Sequence, residues 1–218
     1  MVRELIYFVK IVAAITPGLS LLTYFYLKDK YSPEPMKLVL RMFICGGLIV
    51  FPLLFVQEVM NRIFTSVFTQ SFIVSGFTEE FAKWLLIYFV IFSHSEFDEH
   101  FDGIVYAVAT AVGFATVENL FYIFLNQGNL FNLIWLRALL PVSGHALFGV
   151  TMGYYMGKMK KKKRKIYLLL SLLLPVLFHG IFNSMIYLSS SLAILLVLFM
   201  TFLWVFNLRK MNAAIEML

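Results

Sequence analysis

An all-α, polytopic transmembrane bundle of about seven helices is the fold class this sequence predicts, and three observations carry it. Of 218 residues, 61% are apolar and 14% charged, where soluble domains run at roughly 45–50% and about 25%. The mean hydropathy is +0.85. Apolar runs long enough to cross a hydrocarbon core of roughly 30 Å, about 20 helical residues, recur along the whole chain. Residues 1–218 therefore read as a single integral membrane domain.

Seven apolar segments can be drawn, at 5–27, 38–57, 70–92, 103–125, 133–157, 166–188 and 192–208. The first is longer than a signal-peptide core and has no convincing small-residue cleavage site, so it reads as a retained helix. The link to the second holds Lys28, Lys30, Pro33, Pro35 and Lys37 and is turn-prone. The third carries polar residues taken up below. Before the fourth lies an acidic surface loop with Asp98, Glu99 and His100, and Asp102 ahead of Gly103 reads as a helix N-cap. Gly149, Gly153 and Gly157 repeat every four residues on the fifth, a stripe that lets another backbone approach closely. Lys158, Lys160, Lys161, Lys162, Lys163, Arg164 and Lys165 form the next connection, and Arg209 and Lys210 fall in a tail after the seventh. Pro17, Pro52, Pro141 and Pro175 lie inside apolar segments, where each removes a backbone donor and favours a kink.

The net charge of +6 sits in short stretches between apolar runs, which is a footprint of topology rather than of nucleic-acid binding. Positive-inside counting puts the three basic stretches in the cytoplasm, the C-terminus with them and the N-terminus outside. The expected setting is the lipid bilayer of an inner membrane. Cys45 is the one cysteine, which excludes an intrachain disulfide and a site built on several thiolates.

A charge at the bilayer centre is disfavoured by about 2.5–3.5 kcal/mol on insertion scales, so each such residue needs an explanation. Glu79, Glu80, Lys83, Glu118 and Arg137 are the prominent cases, joined by His145, His179 and Asn183. Lys83 is four residues from Glu79 and three from Glu80, within reach of either carboxylate. Pairing one leaves the other unpaired in low dielectric, a setting that suits a general base. His145 and His179 each follow a proline by four residues, and a kink one turn earlier opens space for water or an extended peptide. Asn183 shares a helix face with His179. Glu118 is either a further carboxylate of the site or a packing partner of Arg137. Counting at about 1.5 Å per residue places Glu79, Glu118, His145 and His179 between the outer third and the middle of the bilayer.

These motifs resemble the PrsW family of bacterial membrane proteases, more distantly related to the CAAX-processing and bacteriocin-protection membrane proteases. The likeness runs through Pro17-Gly18, Tyr24 to Asp29, Glu79-Glu80-x-x-Lys83, Phe101 to Tyr106, Gly113 to Asn119, Arg137 to His145, and His179 with Asn183. The resemblance implies the first, extracytoplasmic-side cut in an anti-sigma factor, a single-pass membrane protein, which starts release of an alternative sigma factor in a stress response. It implies Glu79 and Glu80 as the catalytic diglutamate. His145, His179 and Asn183, with Glu118, would hold Zn²⁺ and leave a position for water. A glutamate-activated water without tightly bound metal is the variant. There is no H-E-x-x-H helix and no G-x-S-x-G elbow. An ion-coupled transporter is the competing class, because buried Glu, Lys and His also build proton relays. A non-catalytic receptor or chaperone is the third. The protease reading requires both histidines and a glutamate to converge on one pocket.

Overall fold

The computed structural model describes residues 2–30, 32–125, 138–188 and 193–216. Among these, seven helical rods and no strand are found. The first is α1, Val2–Lys28. The second divides into α2, Met36–Leu48, and α3, Val50–Asn61. Pro52 has no N–H to give to the Leu48 carbonyl, and the helix is interrupted for one residue at Ile49. The third rod opens with the single turn α4, Val67–Thr69, runs through a π-helical stretch, Gln70–Phe77, and ends in α5, Thr78–Val90. Then come α6, Asp102–Leu125, a second π-helical stretch, Ala138–Val142, leading into α7, Ser143–Lys162, then α8, Lys165–Leu188, and α9, Ala193–Ile215.

Five rods are long and apolar enough to cross a membrane: α1, α2 with α3, α6, α8 and α9. Their outward residues are bare hydrocarbon, with Phe55 74% and Ile194 75% exposed. Lipid, unlike water, meets such a surface without penalty. The chain is a multi-pass helical membrane protein.

At the centre stands α6, buried without interruption from Asp102 to Thr116. Small residues make that possible. A Cβ on Gly153 would overlap the Gly103 carbonyl, and one on Gly113 would overlap that of Phe43, so α7 and α2 both lie backbone to backbone against α6. The glycine stripe on α7 is packing, as its spacing implies.

Several expectations need correction. The basic run is mostly helix: α7 continues through Lys160, Lys161 and Lys162 and stops only at Lys163, which takes a left-handed conformation with φ 52°. Ammonium groups in a last turn are favoured by the helix dipole, so lysines there extend the helix rather than end it. Arg209 and Lys210 likewise lie within α9. The expected segment 133–157 begins among residues outside those described, and Arg137, the packing partner considered for Glu118, lies there too. Asp102 does not cap its helix; its Oδ2 accepts from the backwards-lying amides of Asp98 (2.9 Å) and Glu99 (2.6 Å). Nor is the whole preceding loop at the surface. Asp98 is exposed, but His100 is fully buried and hydrogen-bonds through Nε2 to the Tyr154 carbonyl at 2.9 Å. The helix α8 passes Pro175 unbroken.

Candidate active site

Two helices begin at the site, and each begins out of a π-helical stretch. Glu79 and Glu80 lie in the first turn of α5, directly after Gln70–Phe77; His145 lies in the first turn of α7, directly after Ala138–Val142 with Pro141 inside it. A π-helical coil is wider than an α-helix and turns the following side chains to new directions, which is why such stretches gather at functional sites. The third contributor is α8. At Gly76 a Cβ would stand 3.2 Å from the Val176 carbonyl and 3.3 Å from the Gly180 amide, so the absence of side chains there draws α8 against the π-helical stretch. That approach brings His179, the neighbour of Gly180, to the glutamates.

The charges are arranged in two tiers. In the inner one, Lys83 Nζ donates to Glu80 Oε1 at 2.8 Å and lies 3.9 Å from Glu79 Oε2. The same Glu80 oxygen is 2.9 Å from His179 Nδ1. Lys83 Nζ is also 3.0 Å from His145 Nδ1 and 4.1 Å from the centre of the Phe114 ring. Glu80 and Lys83 are completely buried. A charged pair this dry is tolerable because each member has several partners.

The outer tier faces a cavity of about 220 Å³ whose walls include Ser75, Pro141 and Phe148 with the polar residues Glu79, Glu118, His145, His179 and Asn183. The imidazoles of His145 and His179 stand edge to face, 5.1 Å between centres. His145 Nε2 lies 3.1 Å from Glu118 Oε2, and His179 Nε2 lies 3.9 Å from Glu79 Oε2. Glu79 Oε2 is buried and has no hydrogen-bond partner among the described residues. One ligand atom each from Glu79, His145 and His179 lies within 4.8 Å of the others.

Glu79, Glu118, His145, His179 and Asn183 therefore meet around one cavity, with Glu80 and Lys83 just behind it, while Arg137 lies outside the described residues. Gln57 was missed. Its Nε2 donates to Glu79 Oε1 at 3.0 Å and lies 3.3 Å from both the Val74 carbonyl and Thr78 Oγ1. An amide inside an otherwise apolar segment was the available signal. Trp84, which donates from Nε1 to Ser171 Oγ at 2.8 Å, ties α5 to α8 from the far side.

Two nitrogen donors and a carboxylate oxygen suit a borderline divalent metal such as zinc, and the orphaned Glu79 oxygen is the kind of buried acceptor that an ion or a proton must satisfy. The fold and this centre define a class: helical membrane proteins whose ionisable residues gather around a cavity between helices.

The comparisons with known proteins narrow the class. Residues 34–208 match the family described as PrsW family intramembrane metalloprotease, and the chain belongs to that family. Three proteins named Protease PrsW are similar along nearly their whole length. The one from Geobacillus kaustophilus is 45% identical over 206 residues, covering 93% of this chain and 90% of the relative. That of Oceanobacillus iheyensis is 46% identical over 211, covering 94% and 95%. For Bacillus subtilis the figures are 44% over 212, 95% and 96%. No solved structure matches the chain. The protein is a membrane-embedded endopeptidase.

Proposed function

We propose that this protease makes the first, extracytoplasmic-side cut in a single-pass membrane anti-sigma factor, with the N-terminus outside and the C-terminus in the cytoplasm, the whole chain acting as one catalytic domain. The observation that carries the site assignment is the convergence of His145, His179 and the unpartnered Glu79 oxygen on one cavity. Orientation rests on the basic residues of α7, the α1–α2 link and α9, which belong on the cytoplasmic side. The cavity lies toward the opposite ends of α6 and α7 from those lysines, which supports an outward cut. The choice of substrate rests on the family resemblance.

His145, His179 and Glu79 would hold Zn²⁺. When bound, the ion would polarise the scissile carbonyl and lower the pKa of water. The protein's own contribution is positioning and proton traffic. Glu80, bonded to His179 Nδ1, fixes that ring and leaves Nε2 toward the cavity, the usual work of a carboxylate behind a ligand histidine. Glu118, the other carboxylate lining the cavity, receives the proton of the attacking water and returns it to the leaving amine. Asn183, one turn beyond His179, offers its amide to the developing oxyanion.

One observation favours a second reading. The Lys83 ammonium can only donate, so His145 Nδ1 beside it accepts, and His145 Nε2 then carries the hydrogen facing Glu118. An imidazole presented this way is a donor to an oxyanion rather than a ligand. In that case Glu79 Oε2 takes the proton from water directly.

The test is purified protein in vesicles with a single-pass anti-sigma substrate, products mapped by mass spectrometry, and metal content measured on the same preparation. A cut on the extracytoplasmic side, lost on stripping and restored by Zn²⁺, is expected. Full activity in metal-free protein would replace the zinc reading with the glutamate one, and a cut confined to the cytoplasmic side would overturn the orientation.

A further inference from the structure

At the opposite end of the bundle a second buried polar cluster takes no part in the chemistry above. Asp29 follows the end of α1, Glu34 precedes α2, and Asp102 opens α6; one carboxylate oxygen from each lies within 4.8 Å of the other two. All three are buried, with Asp29 and Glu34 4% exposed and Asp102 not at all. Along α6 the cluster is about 24 Å from Glu118, at 1.5 Å per residue.

Acidic residues crowd together on many surfaces without a ligand, but this group is dry and incompletely bonded. Among the described residues neither carboxylate oxygen of Asp29 has a hydrogen-bond partner, and neither does Asp102 Oδ1. The buried Glu99 Oε2, one turn before Asp102, has none either. The Ser32 and Glu34 amides face Asp29 and draw its pKa down, without reaching hydrogen-bond geometry. Tyr106 gives its hydroxyl to Glu34 Oε2. The nearby ammonium does not settle the balance: Lys160 directs Nζ to the carbonyls of Phe92 (2.8 Å) and His94 (3.2 Å). Burial and the neighbouring carboxylates push the Glu34 carboxyl up to about 9 and that of Asp29 to about 6, so three negative charges do not coexist here unaided.

We infer that Asp29, Glu34 and Asp102 bind a hard divalent cation, Ca²⁺ or Mg²⁺, which clamps the α1–α2 link to the first turn of α6. The donor set is wholly oxygen, the preference of such ions and unlike the nitrogen-rich cavity. Carboxylate oxygens around Ca²⁺ at about 2.3–2.6 Å stand no more than about 5 Å apart, which matches the spread of these atoms. The ion would meet the orphaned oxygens of Asp29 and Asp102 and reinforce the hydrogen bonds from Tyr26 and Tyr106 that already tie the Glu34 segment to α1 and α6.

The full-length protein in detergent, stripped with chelator, tests this with Tb³⁺ as a luminescent stand-in sensitised by Tyr106, and with CaCl₂ and MgCl₂ as competitors. Wild type is expected to give Tb³⁺ emission that Ca²⁺ or Mg²⁺ displaces. His179→Ala, which disables the cavity instead, should behave as wild type. Asp29→Asn and Glu34→Gln should each weaken binding at least tenfold, and addition of CaCl₂ or MgCl₂ should raise the melting temperature of wild type and of His179→Ala but not of these two. Binding and melting shifts that are equal in Asp29→Asn and wild type would overturn the proposal. So would the absence of emission and of any cation-dependent shift. Loss of the emission in His179→Ala with retention in Glu34→Gln would assign the ion to the cavity and likewise overturn it.

Discussion

The molecule buries two polar clusters at opposite ends of the same central helix, and they are neutralised in opposite ways. Around the cavity, carboxylates are interleaved with Lys83, His145 and His179, so that Glu80 has two nitrogen partners within 3 Å. Among the described residues, Asp29, Glu34 and Asp102 have a phenol, backbone amides and each other. In a low-dielectric interior the first arrangement carries its own positive partners and the second is short of positive charge. What separates them is what each lacks: the first leaves one oxygen each of Glu79 and Glu80 without a hydrogen bond, that of Glu79 beside an open space, while among the described residues no ammonium or guanidinium pairs with the acidic end. One is shaped to act on a molecule that enters, the other to be completed by something that stays.

That contrast predicts effects of opposite sign. Glu80→Gln leaves Lys83 charged and buried without its closest partner, and Lys83→Met strands Glu80. Each is expected to lower stability by about 3–5 kcal/mol, measured by denaturant or thermal unfolding in detergent, with the double variant recovering much of the loss. A pair whose single variants melt like wild type would show that the inner tier is not the ionic unit described. Next in size, Gln57→Leu frees Glu79 Oε1 and should reduce turnover about tenfold, the equivalent of one hydrogen bond to a charged group, with little change in melting temperature. Unchanged turnover would remove Gln57 from the positioning of Glu79. Smallest, Asp29→Asn in chelator relieves like-charge crowding and should raise stability by about 1 kcal/mol. A loss of stability there would mean the acidic cluster is already balanced.

The sequence disclosed these two clusters very unevenly. Glu79, Glu80, Lys83, His145 and His179 were conspicuous because each is an ionisable residue inside an apolar run, and hydrocarbon makes such residues anomalous. Asp29, Glu34 and Asp102 fall at segment ends, where acids are ordinary, so nothing in the sequence distinguishes a buried acid from a wet one. Asp102 looked like a helix cap for that reason. Helix number was legible from length and hydropathy, but helix ends in the basic run were not, since lysines suit both a loop and a C-terminal turn. The π-helical stretches were also hidden. Pro141 marked a distortion in the second without showing its form, and the first packs at Gly76 against α8, a tertiary contact that no local pattern displays.

The cavity as the place where peptide bonds are cut is the claim everything else leans on. Cleavage of a single-pass substrate by reconstituted protein measures it directly, comparing wild type with Glu79→Gln and His179→Ala and using Glu58→Gln, an exposed residue paired with Arg62, as control. Both cavity variants should fall by about 10²-fold or more while remaining folded, as loss of a residue that holds the ion or takes the proton requires, and the control should match wild type. Cleavage at the wild-type rate in both cavity variants would contradict the assignment of this cavity as the active site.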